Sequence, residues 1–189
     1  MQEQNEMTPA VIALAGRRID ADGSEPPRFP LSNIRPVRMR LVDIFVRERA
    51  LALVSSAACG ADLLALEEAE RLGLRRRIVL PFSTERFRVT SVIDRPGDWG
   101  RLFDHIIASA RAAGDLVVLE THAVGGDAAY AAANAAIIRE AESLAAEAEL
   151  RRVAVIVWEG AARPEGDATG GFQHLAAAAG FAERTVLTV

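Results

Sequence analysis

Apolar residues in this chain gather into short unbroken runs, at 11–15 (VIALA), 51–54 (LALV), 75–82 (RRRIVLPF), 115–120 (DLVVLE), 152–158 (RVAVIVW) and 185–189 (TVLTV). Runs of this length without alternation are the signature of strands buried on both faces. Between them lie stretches of helical spacing. Residues 37–49 set Met39, Val42, Phe45 and Val46 on one face, residues 101–113 set Leu102, Ile106 and Ala110 toward a sheet, and 128–147 and 172–179 read as two further helices. Residues 21–36 hold Pro26, Pro27, Pro30 and Pro36 and predict a surface loop. Strand and helix alternate about six times, the pattern of an α/β fold with a doubly wound, mostly parallel sheet of about six strands in a Rossmann-like three-layer sandwich. Residues 1–9 are polar and patternless and are expected to form a disordered lead-in, with 10–189 as a single domain.

The stretch 50–73 organises the rest: an apolar run, then Ser55, Ser56 and a small-residue turn, then Gly60-Ala61-Asp62 opening a helix that closes at Gly73. A strand, tight loop and helix in this order point the free N–H groups of the helix start at the space beyond the strand, where an anion can sit. Ser55, Ser56, Gly60 and Ala61 are therefore candidate phosphate contacts, and Asp62 either caps the helix or meets a ribose hydroxyl. Three other strand-like runs end comparably. Gly16, Arg17 and Arg18 follow the first, where an arginine could fork onto a phosphate or bridge to Asp20. Gly125, Gly126 and Asp127 follow the fourth, with Tyr130 and Asn134 spaced to share one helix face. Gly170 and Gly171 follow the fifth as a third anion-binding turn, and Arg86 is a candidate ligand arginine after the third.

Composition narrows the chemistry. All 22 basic residues are arginine, so lysine-based catalysis and a P-loop lysine are excluded. A net charge of −4 argues against a broad basic surface, and direct nucleic-acid binding is not expected. Cys59 is the single cysteine, which precludes an intrachain disulfide and reads as a buried thiol. His105, His122 and His174 lack ligand spacing, so no metal is expected. No signal-peptide pattern and no apolar run long enough for a membrane span is seen, and a cytoplasmic location is expected.

Several segments together resemble the SLOG superfamily: ALAGRRID, the loop ending PRFP, VSSAACGADLLALEEAERLG, IVLPF, FRVTSV followed by WGRLFDHII, and GGDAAYAAANAAII. These Rossmann-like domains are related to the DNA-processing SMF/DprA proteins and to the LOG phosphoribohydrolases, and the similarity spans about residues 11–189. The resemblance implies a nucleotide or nucleotide-derived ligand held at the strand ends, with no further cofactor, in a protein of a kind that often forms homodimers; the all-arginine, alanine-rich usage separately fits a GC-rich bacterial coding bias. The hydrolytic LOG branch carries PGGxGTxxE, and the matching place here is AVGGDAAYAAAN, with Ala132 where the glutamate falls. Binding or sensing is thus the leading expectation. An N-glycosidase acting on nucleoside monophosphates, with Asp127 or Glu120 assisting departure of the base, is the first alternative. A dimeric scaffold with a decayed pocket is the second.

Overall fold

The computed structural model describes residues 8–119, 126–163 and 166–189. The chain runs β1 (Ala10–Gly16), a short 3-10 turn (Leu31–Asn33), α1 (Ile34–Arg47), β2 (Ala50–Ser55), α2 (Ala61–Arg71), β3 (Arg75–Leu80), α3 (Thr84–Ser91) and α4 (Trp99–Ala112). It continues through β4 (Leu116–Val118), α5 (Asp127–Glu147), β5 (Arg151–Trp158), α6 (Ala168–Ala178) and β6 (Ala182–Leu187). The six strands form one sheet in the order β4-β3-β2-β1-β5-β6, parallel at every pairing, so the protein is a doubly wound α/β sandwich.

Strand periodicity sorts the core into two layers. Ile12 and Leu14 of β1, with Val153, Val155 and Val157 of β5, face α1 through α4. Val11 and Ala13, with Ala154, Ile156 and Trp158, face α5 and α6. Both faces of the central strands are covered, which is why their runs show no alternation. Ala136, Ala141 and Ala145 let α5 lie close to the sheet.

Some boundaries and faces differ from the expectation. The helix expected at 37–49 starts at Ile34, because Pro36 is accommodated in the first turn, where its missing N–H costs nothing. It buries Val37, Leu41 and Phe45, an i, i+4, i+8 stripe, while Met39 and Val46 are exposed and only Phe45 of the expected face is buried. The last helix begins at Ala168 rather than 172, so Gly170 and Gly171 lie inside its first turn and not in a loop before it. Between β3 and α4 the chain forms α3, capped by Ser83 accepting the N–H of Arg86, and Trp99 donates to the Pro96 carbonyl at 2.8 Å. Glu120, Gly125 and the 1–7 portion of the expected lead-in lie outside the described residues. Among the described residues no helix is long and apolar enough to cross a membrane.

Candidate functional site

The sheet winds one way from β1 through β4 and the other way through β5 and β6, so the strand order reverses between β1 and β5. Chains diverging from two adjacent carboxyl ends leave a crevice at that point. A cavity of about 610 Å³ fills it, a size typical of small-molecule sites. Its walls come from the turn after β1, the loop around Ser24 to Arg28, the start of α2, the end of α3, the first turns of α5 and the approach to α6. Gly16, Arg17, Arg18, Ser56, Asp62, Asp127, Tyr130 and Asn134, all singled out in the sequence, line it.

The two arginines after β1 have different tasks. Arg17 is 4% exposed; it is bound by Glu159 at 2.6 Å and by Asp167, and donates to the Ala161 carbonyl at 2.9 Å. Burial pulls its pKa down, but the hydrogen bonds and charges of Asp167 and Glu159 outweigh that and hold it above its ordinary value. Arg17 thus clasps the β1 turn to the loop between β5 and α6, and its donors are taken by protein. Arg18 reaches the other way. Its Nη1 lies 2.9 Å from both oxygens of Asp94 and 3.1 Å from the Thr90 carbonyl. Neither arginine pairs with Asp20, which accepts the N–H groups of Arg28 and Phe29 at 2.9 Å and closes the proline-rich loop on itself.

The central strand–loop–helix unit has the expected course, yet its helix start is turned against the protein. A Cβ on Gly16 would stand 2.4 Å from the Ala61 Cβ and 2.6 Å from that of Val157, so this glycine lets α2 pack against β1 and β5. Gly60 has φ +98, and a Cβ there would lie 2.7 Å from the Ile19 nitrogen and 2.8 Å from the Arg17 carbonyl oxygen. The N–H of Ala61 donates to that same carbonyl at 3.1 Å. Gly60 and Ala61 therefore hold the β1 turn and do not line the cavity. Ser55 is fully buried and donates to the Ser56 carbonyl at 2.8 Å, so of these two serines it is Ser56 that lines the cavity.

Asp62 is the unusual member. It is 6% exposed; one carboxylate oxygen, Oδ2, accepts the Ala58 N–H at 3.1 Å, and the other, Oδ1, is buried with no hydrogen-bond partner among the described residues. Desolvation pushes its pKa up to about 7, against the lowering effects of the Ala58 N–H and the charge of Arg18. A shift of this kind in a crevice is a mark of functional sites.

On the α5 wall, Tyr130 shares a 2.8 Å hydrogen bond with Ser91, and Asn134 donates to the Ala168 carbonyl at 2.7 Å. Asn134 thus satisfies a backbone group. Gly126 is exposed at the α5 start, and Asp127 stands at the cavity edge beside Gly166. Gly170 makes room for Asp167: a Cβ on it would sit 2.9 Å from that carboxylate. Gly171 lines a smaller adjoining cavity of about 180 Å³ together with Asp127 and Asn134. Arg86 lies over the Phe82 ring, 4.3 Å from its centroid, and does not line either cavity.

Asp94, Arg95, Glu159 and Asp167 were not singled out in the sequence. Arg95 lines the cavity; its Nε is buried with no hydrogen-bond partner among the described residues and stands 3.6 Å from Asp94, beyond hydrogen-bond reach. The available signal was positional: residues 81–98 follow the carboxyl end of β3 and had to pass the mouth of the crevice.

No family model matches the chain, and no curated protein matches it. Fold and site together define a Rossmann-like α/β protein with a ligand-sized crevice at its topological switch point.

Proposed function

We propose that this protein is a member of the SLOG superfamily that binds a nucleotide or nucleotide-derived small molecule in the crevice between β1 and β5. The observation that carries the reading is the open cavity of about 610 Å³ at the point where strand order reverses. Its lining suits an amphiphilic guest: charged groups of both signs at Arg18, Arg95, Asp62 and Asp127, hydroxyls at Ser56 and Tyr130, and apolar walls from Leu14, Phe87 and Ile137. An open crevice also weighs against the scaffold reading, which calls for a filled one. The hydrolytic reading keeps one foothold in Asp127, a carboxylate on the cavity lining, while Ala132 stands where the LOG glutamate falls.

The test is a panel of nucleoside mono-, di- and triphosphates, cyclic nucleotides and NAD, followed by thermal shift and by chromatography for released base. A ligand at 100 times its dissociation constant stabilises by about 2.7 kcal/mol, a readily measured change in melting temperature. Stabilisation without base release supports binding; base release lost in Asp127→Ala moves the assignment to a hydrolase; no response across the panel removes the reading.

A further inference from the structure

Two residues on the α6 side of the crevice are more than nine-tenths buried and still keep an open oxygen. Asn134 is 8% exposed and Thr169 is 5% exposed, and both line the cavity. Asn134 spends its amide nitrogen on the Ala168 carbonyl at 2.7 Å, which fixes the orientation of the amide and leaves Oδ1 as its other end. Among the described residues Asn134 Oδ1 accepts no hydrogen bond and Thr169 Oγ1 makes none. Unlike Asp62 Oδ1 and Arg95 Nε, which are sealed in the protein without a partner, both oxygens retain accessible surface, and the space beside them is the cavity their residues line. Ala168 and Thr169 are consecutive in α6, so the Asn134 hydrogen bond holds the two oxygens on one wall, where α5 meets α6.

The surroundings decide what this wall receives. Asp127 lies two helical turns before Asn134 at the edge of both cavities, and its carboxylate has no hydrogen bond or ion pair among the described residues. The start of α6 supplies donors, because Asp167 gives its carboxylate to Arg17 and the Arg163 N–H and caps none of the first-turn N–H groups. A phosphate here would meet an acceptor in Asn134 Oδ1 and a like charge in Asp127. A hydroxyl is neutral, donates one hydrogen bond and accepts others, and so satisfies both kinds of neighbour.

We infer that Asn134 Oδ1 and Thr169 Oγ1 form a subsite for the hydroxyls of the guest, the 2′,3′ pair of a ribosyl group. This rests on the crevice being the nucleotide site proposed above, and adds which wall takes the sugar. Thr169 was not singled out in the sequence.

The experiment is calorimetry on the full chain, with AMP, GMP, CMP and UMP and their 2′,3′-dideoxy forms as probes. The wild type is expected to bind at least one ribonucleotide more tightly than its dideoxy form, by about fivefold or more. Thr169→Val keeps the shape and removes the hydroxyl. It is expected to weaken that ribonucleotide about three- to tenfold, the range of one hydrogen bond, and the dideoxy form less than about twofold. Thr169→Ser retains the hydroxyl and is expected to retain the selectivity. Asn134→Leu is expected to show the same selective loss as Thr169→Val, and if it fails to fold the two Thr169 variants decide alone. A smaller preference in the wild type, or one that Thr169→Val leaves unchanged, overturns the sugar subsite and leaves the crevice reading standing. So does equal weakening of both forms by Thr169→Val, since that is a packing effect. Absence of binding by the wild type to every probe overturns both.

Discussion

The backbone N–H of Ala61, the first residue of α2, donates to the carbonyl of Arg17 at 3.1 Å. A helix start that by pattern alone would receive a phosphate instead receives the turn after β1. Gly60 makes that contact possible, because it combines a left-handed backbone with close approach to Ile19 and Arg17. Gly60→Ala is therefore expected to cost roughly 3 kcal/mol, from left-handed strain together with overpacking against backbone. Gly126→Ala is the control: it also has positive φ but a Cβ there meets none of the described residues, and about 1 kcal/mol is expected. Urea denaturation of both variants measures the difference, and equal costs would show that the Ile19 and Arg17 contacts do not matter.

Arg17 holds Glu159 and Asp167 in a nearly buried cluster. Arg17→Met removes the buried cation from both carboxylates, leaving Glu159 only Arg28 at 3.6 Å and Asp167 the Arg163 N–H, and a loss on the order of 3–5 kcal/mol is expected. Chemical denaturation reads it; a loss below about 1 kcal/mol, the value of an ordinary surface pair, would show that the clasp is not needed for stability.

Asp62 gives the protein a pH signature. Its folded pKa of about 7 lies above the ordinary 3.8, so between those values the folded state retains a proton that the unfolded state has lost. Stability therefore falls as pH rises from about 4 to about 7 and is level above that, with a total of order 4 kcal/mol at 1.4 kcal/mol per pKa unit. Asp62→Asn, which cannot ionise, is expected to be more stable than the wild type at pH 8 and to lose that advantage toward pH 4. Denaturation curves at the two pH values decide it; a constant difference would mean that burial does not perturb this carboxyl.

Cys59 is fully buried, and desolvation raises its thiol to about 11. It is expected to react with a thiol reagent only after unfolding. Rapid labelling of the native protein at pH 8 would contradict the packing described.

The fold was legible because the strands are buried on both faces, and an unbroken apolar run such as 152–158 has few other readings. Helix faces were less so. In α1 two sets of apolar residues satisfy helical spacing and share Phe45; only the neighbours, absent from any local pattern, select Val37 and Leu41 over Met39 and Val46. Eight of the expected site residues line the cavity, from Gly16 to Asn134. The partners of Arg17 and Arg18 were not legible, since Asp167 and Asp94 lie 150 and 76 positions away in the chain. Gly60 was read as a phosphate contact, and the group that approaches it closely is the protein's own backbone.

β1 pairs with β2 on one side and β5 on the other. Until residue 151 and those after it are made, the middle strand of the eventual sheet has one side of its hydrogen-bonding groups unpaired. Such an open edge is a template for another chain. A chain cut before Arg151 is thus expected to self-associate through the edge that β5 covers, which size-exclusion chromatography of the truncated protein would reveal.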